Sequence, residues 1–302
     1  MTSWNPSIKR DLFTVNDWIR FGATQLQKAN VFFGHGTDNA WDEAAQLVLW
    51  VIETPWQRLE QVAQTRLTDA EKDQVIACFT DRIEKRLPAP YITGTAYFCE
   101  LPFEVNQKVL IPRSPIAEMI EKQFEPWVSE PPLNILDLCT GSGCIGIACA
   151  YVFEQAAVCL SDVSQEAATC AERNVRHHGL NERVQVVTSD LFEHVPERFD
   201  LIVSNPPYVD AEDFTSMPPE FRHEPSLALT SGADGLDFTR RLLVEAADHL
   251  NENGLLIGEV GNSWLALEAA FPDVPFTWVE LERGGHGVFW LTRAQLLEHF
   301  KA

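Results

Sequence analysis

The sequence predicts an α/β domain built on a doubly wound parallel sheet, preceded by a small helical bundle. In residues 1–88, each predicted helix begins at a capping residue and continues with apolar residues at helical spacing. After Pro131-Pro132, short apolar runs alternate with helical segments, which is typical of a parallel sheet covered by helices on both faces. Two short apolar runs between these regions predict a β-hairpin. We therefore expect a helical domain at 1–88, a linker and β-hairpin at 89–113, and the α/β domain at 114–302.

Capping signals mark the start of each predicted helix in the first domain. Thr14 is followed three residues later by Asp17, and Thr68 by Glu71, so that side chain and backbone can cap each other. The polar loop 34–43 is explained by turn and cap roles rather than by metal binding. No residue set here suits catalysis, and we expect this domain to recognise a partner. The predicted helix starts are Thr14, Asn39, Pro55 and Thr68.

The alternation in the second domain predicts its individual elements. Strands of a parallel sheet are buried on both faces and therefore form nearly continuous apolar runs. The predicted strands are 134–138, 158–161, 184–188, 201–204, 255–259, 276–281 and 288–291. The predicted helices are 144–152, 165–178, 235–250 and 263–271, after an earlier one from Ser114 to Trp127.

The charge of the chain argues against direct binding of nucleic acid. The net charge is −21, and residues 89–302 hold most of it, with 13 Lys+Arg against 32 Asp+Glu. Proteins that bind nucleic acid usually present a basic face, and no cluster of that kind occurs here. An acidic surface instead attracts a basic partner, although solubility alone explains the charge equally well.

The seven cysteines predict a cytoplasmic protein. Their number is odd, no Cys-x-x-Cys occurs, and most lie in apolar runs. We therefore expect reduced core thiols rather than disulfides or metal ligands. No apolar run reaches the length needed to span a membrane. Neither a membrane nor a metal is expected, and the oligomeric state stays open.

The tetrapeptide Asn205-Pro206-Pro207-Tyr208 is the strongest candidate for a reactive site. It follows an apolar strand, and open α/β sheets bind their ligands at the carboxyl ends of strands. Prolines stiffen the loop and remove donors, which leaves the Asn205 side-chain oxygen and the Pro206 carbonyl as acceptors beside the Tyr208 ring. This set suits a flat –NH₂ group, such as a carboxamide or the exocyclic amine of a base. A proline-rich strand exit with an Asx-turn is the purely structural alternative.

A glycine-rich turn, Asp137-Leu138-Cys139-Thr140-Gly141-Ser142-Gly143, follows the first strand of the alternating region. Glycines there let the backbone approach a ligand at a helix N-terminus. The pattern Gly141-x-Gly143-x-x-Gly146 also fits the dinucleotide fingerprint, and Asp162 lies about 20 residues further on, as an NAD site requires.

Three further features favour S-adenosylmethionine over NAD. Asp137 precedes the glycines, where its carboxylate can hold an ammonium group that NAD lacks. Asp190 follows the third strand, where it is placed to meet an adenine edge, and the Asn-Pro-Pro-Tyr tetrapeptide follows the fourth. With Asp162 placed to hold ribose hydroxyls, a cofactor that has an ammonium, a ribose and an adenine matches all three acids. The residues expected to bind the cofactor are Asp137, Cys139, Thr140, Gly141, Ser142, Gly143, Asp162, Asp190, Leu191 and Asn205.

These motifs together resemble the protein-(glutamine-N5) methyltransferases, which are class I enzymes that modify glutamine side chains in proteins of the translation apparatus. The likeness covers nearly the whole chain and includes Leu110-Ile111-Pro112-Arg113 and Glu224-Pro225. It implies a Rossmann-like, seven-stranded sheet with a reversed last hairpin.

Two branches of this family are distinguished by local sequence. Enzymes that modify peptide-chain release factors usually continue the Ile-Pro-Arg motif with Pro-Glu-Thr-Glu and have glycine at position 139. This chain has Ser114-Pro115 after the motif and Cys139 in the turn. The stretches 33–43 and 284–289 resemble instead the branch that methylates the third large-subunit ribosomal protein. Ribosomal proteins are basic, which agrees with the acidic second domain.

The expected reaction is direct transfer of the sulfonium methyl group to a glutamine amide nitrogen, with Asn205, Pro206 and Tyr208 as catalytic residues. The Asn205 oxygen and the Pro206 carbonyl accept the two amide hydrogens, and these bonds strengthen as the nitrogen gains positive charge. Tyr208 packs on the amide plane, and Pro207 completes the substrate-binding set. No general base is needed, because the methylated amide sheds its proton easily.

Several alternatives stay open. Substrates other than the ribosomal protein are release factors and, less favoured, adenine in nucleic acid; a scaffold that only binds the cofactor is a further alternative. The roughly 26 residues after Tyr208 are expected to form part of the substrate wall. Arg113 either orders the cofactor side or pairs with a buried acid, and His286 either touches substrate or shapes a hairpin. His223 is expected in a hydrogen-bonded turn.

Overall fold

The computed structural model describes residues 4–5, 7–128, 130–195 and 197–301. The chain divides into two compact units. The helical unit comprises residues 1–95 together with 218–223, and the α/β unit comprises 96–217 and 224–302. The chain thus leaves the α/β unit at Pro218 and returns to it at Glu224.

The helical unit is held together by caps and a dense apolar core. Thr14 and Asp17 form the predicted reciprocal cap, and Thr68 and Glu71 form the second. Trp18, Leu26, Val48 and Phe79 are among its fully buried side chains. Within the described residues its α-helices are α1 (Ile8–Asp11), α2 (Val15–Lys28), α3 (Ala40–Val51), α4 (Leu59–Val62), α5 (Asp69–Glu84) and α6 (Ala89–Thr93).

The α/β unit contains a two-stranded sheet and a seven-stranded sheet. The small sheet is a hairpin whose turn residues Cys99 and Glu100 both have positive φ, the geometry of the tight turns that suit twisted strands. Its strands are β1 (Thr95–Phe98) and β2 (Leu101–Glu104). The strands of the large sheet are β3 (Asn134–Leu138), β4 (Ala157–Asp162), β5 (Val184–Thr188), β6 (Phe199–Ser204), β7 (Leu250–Glu259), β8 (Thr277–Trp278) and β9 (Val288–Thr292).

The order of the large sheet is β5-β4-β3-β6-β7-β9-β8. The first five strands in this order pair in parallel, whereas β9 is antiparallel to both β7 and β8. This confirms the predicted doubly wound sheet and its reversed final hairpin. Two separate apolar clusters contain, respectively, Ile135 and Leu136, because successive residues of a strand point to opposite faces.

Helices precede, connect or follow the strands of the large sheet along the chain. Within the described residues they are α7 (Ile116–Glu121), α8 (Cys144–Val152), α9 (Gln165–His177), α10 (Ala211–Ser216), α11 (Asp237–Glu245), α12 (Trp264–Ala270) and α13 (Arg293–Phe300). No helix in the described part of the chain is long and apolar enough to cross a membrane.

Some elements differ from the sequence prediction. The segment predicted as a stiff linker at Pro88 instead begins the short helix α6, since proline is tolerated in a first helical turn. The strand predicted at 276–281 is only two residues long. Helix α13 was not predicted, although Thr292 and Gln295 form a capping box at its start. Helix α7 ends at Glu121, six residues before the predicted Trp127.

Candidate active site

The carboxyl ends of strands β3, β4, β5 and β6 border a cavity of ≈ 320 Å³ within the α/β unit. Sites for small ligands typically have volumes of about 300–1,000 Å³, and this edge of an open α/β sheet is where ligands bind. The apolar residues of its lining include Leu110, Leu138, Val163, Leu191, Leu227 and Phe238. The polar residues of its lining include Ser161, Asp162, Ser189, Asp190, Asn205 and Arg241.

Asp137 lies beneath the glycine-rich turn. Its side chain is fully buried, and its Oδ2 accepts hydrogen bonds from Thr140 Oγ1 at 2.6 Å and from the Gly146 amide at 2.8 Å. Two residues of the turn, Cys139 and Gly141, have positive φ angles of 60° and 57°. Only glycine adopts such angles without strain. Asp137 therefore holds the turn in shape through Oδ2, whereas its buried Oδ1 has no hydrogen-bond partner among the described residues, so the predicted ammonium contact stays a prediction.

The pKa of Asp137 predicts a pH-dependent stability. Burial raises this pKa to about 7, whereas an unfolded aspartate ionises near pH 3.9, so the unfolded state binds fewer protons between these values. Stability should therefore fall as the pH rises from about 4 to about 7 and level off above it, by on the order of 4 kcal/mol at most. Asp137→Asn should make this slope shallower in urea-unfolding curves measured without cofactor, and the raised pKa of Asp162 should leave a remainder.

A matched control for this measurement is Asp273→Asn, because Asp273 is exposed in the same unit. It should keep the wild-type pH dependence. If the stability of Asp137→Asn ran parallel to that of wild type across this pH range, Asp137 would not be the source of the slope.

Asp162 and Asp190 lie at the strand ends where the sequence places them, and both border the cavity. Asp162 accepts the Gly141 amide on Oδ2 and the Ser164 amide on Oδ1, each at 2.9 Å, which fixes its orientation. Burial raises the pKa of Asp162. Asp190 accepts from Arg241 Nη1 at 3.0 Å. Arg241 was not predicted as a site residue, because nothing in its local sequence separates it from other exposed helix arginines.

A second wall of the cavity is anchored by a charged pair. Arg113 donates to both carboxylate oxygens of Glu224, at 2.6 and 2.8 Å, and the Ile111 amide donates to Glu224 Oε1 at 3.0 Å. The sequence left two roles open for Arg113, and the structure contains one of them, the pairing with a buried acid. The pair fixes the chain where it returns to the α/β unit, just before Pro225 and Leu227 of the cavity lining.

The tetrapeptide leaves β6 at the mouth of this cavity. Ser204 Oγ donates to the Leu138 carbonyl at 3.0 Å, which joins the ends of β6 and β3. Within the described residues, no hydrogen bond reaches the Asn205 side chain, which borders the cavity. Its oxygen is therefore available as an acceptor. Beyond the tetrapeptide, the Val209 amide donates to the Leu229 carbonyl at 2.8 Å and ties the loop down.

The structure brings most of the predicted site residues to one place. Among the residues expected to bind the cofactor, those that border the cavity are Cys139, Gly141, Asp162, Asp190, Leu191 and Asn205. The remaining four shape the turn and lie outside the lining: Asp137, Thr140, Ser142 and Gly143. Of the tetrapeptide, Asn205 and Pro207 border the cavity, Pro206 is buried, and the Tyr208 hydroxyl points to Glu259.

The loop predicted as substrate wall is divided between the two units. Pro225, Leu227 and Ala228 border the cavity, whereas residues 218–223 pack in the helical unit. There His223 Nε2 lies 2.7 Å from the Lys85 carbonyl, and the His35 ring packs against Phe221 with centroids 4.6 Å apart. His286 Nε2 lies 2.9 Å from Asn262 Oδ1. No cluster of His, Cys, Asp and Glu suited to a metal occurs in the described residues.

Comparison with known proteins identifies the family. The family described as "Methyltransferase small domain" matches residues 117–233. The ribosomal protein uL3 glutamine methyltransferase of Francisella tularensis subsp. tularensis is 45% identical over 295 residues, which cover 97% of this chain and 94% of that protein. The enzyme of the same name from Neisseria gonorrhoeae is 46% identical over 290 residues, covering 95% and 97%. The chain belongs to the uL3 glutamine methyltransferase family.

Membership of the uL3 glutamine methyltransferase family confirms the resemblance drawn from the motifs, including the branch. The chain is therefore a methyltransferase, and its Gly141-x-Gly143-x-x-Gly146 pattern is not the mark of a dehydrogenase. Among solved structures, a methyltransferase from Pyrococcus furiosus is similar at 20% identity and a TM-score of 0.47, covering 74% of this chain and 98% of that one.

Proposed function

We propose that this chain transfers a methyl group from S-adenosylmethionine to the side-chain amide nitrogen of a glutamine in ribosomal protein uL3. The observation that carries the proposal is identity of 45–46% over almost the entire length of two proteins named for this activity. The position of Asn205 at the edge of the cavity supports the chemistry.

The cavity suits S-adenosylmethionine by its donor and acceptor set. Asp162 accepts two backbone amides and retains lone pairs for a ribose diol. Apolar side chains such as Leu191 and Phe238 offer surfaces to a flat base, with Asp190 at the edge. When bound, S-adenosylmethionine supplies a methyl group activated by a positively charged sulfur. Of the four turn residues outside the lining, Asp137 offers its unpartnered Oδ1 to the ammonium group of the cofactor, and the other three shape the turn.

In this proposal Asn205 and Pro206 orient the substrate amide. The amide nitrogen is a weak nucleophile because its lone pair is delocalised into the carbonyl. The Asn205 side-chain oxygen and the Pro206 carbonyl accept its two hydrogens. As the nitrogen gains positive charge, these hydrogens become more acidic and the two bonds strengthen, so the loop stabilises the transition state more than the ground state.

Tyr208 completes the site as an aromatic surface for the amide plane. Burial, followed by the neighbouring Glu259 carboxylate, raises the pKa of Tyr208 well above its ordinary value. The phenol therefore stays protonated and is a hydrogen-bond donor rather than a base. This agrees with a reaction in which no side chain removes a proton before methyl transfer.

The charge distribution supports a basic protein substrate. Residues 89–302 carry 13 Lys+Arg against 32 Asp+Glu, and a field of this sign raises the rate at which basic partners are encountered. We assign partner recognition to the helical unit, since none of its described residues borders the cavity. A cytoplasmic location and the absence of direct nucleic-acid binding remain predictions.

A transfer assay with methyl-labelled S-adenosylmethionine tests the proposal. Purified uL3, a peptide-chain release factor, ribosomal RNA and DNA are offered separately, and labelled products are analysed by mass spectrometry. We expect one methyl group on a glutamine of uL3. Label confined to the release factor would keep the chemistry and overturn the substrate, and label on nucleic acid would overturn both.

A further inference from the structure

Tyr208 is held at its hydroxyl, at its backbone carbonyl and along one edge of its ring. Its hydroxyl donates to Glu259 Oε1 at 2.8 Å, and its carbonyl accepts from Ser263 Oγ at 2.8 Å. A Cβ atom on Gly261 would lie 2.5 Å from a carbon of the Tyr208 ring, so the ring packs directly on the glycine backbone. All three contacts come from the segment that begins at the end of β7.

The glycines around this segment are required for the close approach. Gly261 has a φ of 45°, a value that residues with a side chain adopt only under strain. A Cβ atom on Gly287 would lie 2.2 Å from the Gly261 carbonyl oxygen. The Val260 amide also donates to the Gly287 carbonyl at 2.7 Å. The two glycines therefore pack backbone against backbone behind the Tyr208 ring.

Glu259 is the charged centre of this arrangement. It is the last residue of β7 and only 3% exposed. Its neighbour Gly258 pairs with Ser204, the residue before Asn205. While Oε1 accepts from Tyr208, Oε2 accepts from Ser114 Oγ at 2.6 Å. A buried carboxylate is costly unless hydrogen-bonded, and here each oxygen has one hydroxyl donor. Its position is thus well defined.

We propose that Glu259 is a positioning residue that sets the orientation of the Tyr208 ring in the catalytic tetrapeptide. It acts through the phenol hydroxyl and touches neither substrate nor cofactor. The inference rests on the proposed role of Tyr208 as the surface on which the substrate amide lies. The proposal also gives a role to the segment Gly258-Glu259-Val260-Gly261 and to Gly287, none of which borders the cofactor cavity.

The test compares Glu259→Leu, Tyr208→Phe and the double variant in the uL3 methylation assay. Each single variant should lower kcat by about tenfold, the effect of one lost hydrogen bond to a charged acceptor. The KM for S-adenosylmethionine should stay within about threefold of wild type. The double variant should be no worse than the singles, because residues that act through one contact are not additive. Glu259→Gln keeps an acceptor and should recover most activity.

Glu252→Leu is the matched control, since Glu252 is an exposed glutamate on the same strand. It should have wild-type kcat. A purely structural role for Glu259 predicts instead that losses multiply in the double variant and that cofactor affinity falls with kcat. Either result, or wild-type kcat in Glu259→Leu, would overturn the proposal.

A second readout does not depend on activity. The chain has 4 tyrosines, so fluorine NMR of protein labelled with 3-fluorotyrosine resolves few signals, and Tyr208→Phe identifies that of Tyr208. This signal should move in Glu259→Leu and stay unchanged in Glu252→Leu. An unmoved signal would exclude the contact. If wild type methylated no substrate, the proposed function would fail while this measurement still decided whether Glu259 holds the ring.

Discussion

Replacing Asn205 with alanine is expected to lower kcat by about 100- to 1,000-fold, the usual effect of removing one side chain that stabilises developing charge. Of the two proposed acceptors for the amide hydrogens, only the Asn205 side-chain oxygen can be deleted by a substitution, because the Pro206 acceptor is a backbone carbonyl. Its loss leaves one amide hydrogen unsatisfied at the moment when that hydrogen becomes most acidic.

The same substitution should leave cofactor binding nearly intact. Asp162, Asp190 and the glycine-rich turn keep their own hydrogen bonds when Asn205 is shortened. Calorimetry with S-adenosylmethionine should give a Kd within about threefold of wild type. Contacts that form only in the transition state lower kcat and leave the Kd of the cofactor unchanged. Methylation of uL3 under single-turnover conditions then isolates the chemical step.

Asn251→Ala is a matched control for Asn205→Ala. Asn251 lies near the other end of β7, where its side chain donates to Asp200 at 2.6 Å. That variant should methylate uL3 at the wild-type rate. Near-normal turnover in Asn205→Ala, with cofactor bound, would show that the tetrapeptide does not accept the amide hydrogens and would remove the mechanism.

Patterns that depend on neighbours in sequence predicted the fold well. The strands at 134–138 and 184–188 and the helix at 144–152 have the predicted bounds. A parallel strand is buried on both faces and therefore forms a continuous apolar run. A capping box spans only four residues, so both signals are visible in the local sequence. The positions of Asp162, Asp190 and Asn205 follow from the same logic, because each stands at or just after a strand end.

Contacts between distant residues were not predictable in this way. Tyr208 and Glu259 are 51 residues apart, and Glu224 is 111 residues from Arg113. No local period links such pairs, and only the sheet order brings them together. Asp137 shows a different limit. Its position before the glycines predicts a ligand contact, but the sequence does not show how its two oxygens are divided: Thr140 and Gly146 bind Oδ2, and Oδ1 has no partner among the described residues.

The division of the 209–234 loop has the same cause. Glu220 belongs to the helical unit because its carboxylate accepts from Arg82, 138 residues earlier, at 3.1 Å. Arg82 Nε also donates to Glu43 at 2.7 Å, and its Nη2 donates to the Phe32 carbonyl at 2.5 Å. Arg82, Glu43 and Glu220 are each 0% exposed. One buried guanidinium therefore joins two acids and a backbone carbonyl.

Arg82→Ala should consequently destabilise the helical unit by about 3–5 kcal/mol, the cost of leaving buried charges without their partner. Burial already raises the pKa of Glu43, and the Arg82 guanidinium opposes that shift. Without Arg82, Glu43 must take up a proton or water, whereas Glu220 keeps only the Phe32 amide and the more distant Arg86 guanidinium at 3.5 Å. Lysine should rescue only partly, because it lacks the planar fork that reaches three acceptors at once.

Hydrogen exchange measured by mass spectrometry separates this effect from a change elsewhere. Amides of α2, α3 and α5 and of residues 218–223 should lose protection in Arg82→Ala, whereas those of β3 and β6 should keep it, because the two units form separate cores. Arg58→Ala, at an exposed arginine of the same unit, should exchange like wild type. Unchanged protection of 218–223 in Arg82→Ala would mean that Glu220 does not depend on Arg82, and that this segment is held in the helical unit by Phe221 and its aromatic neighbours instead.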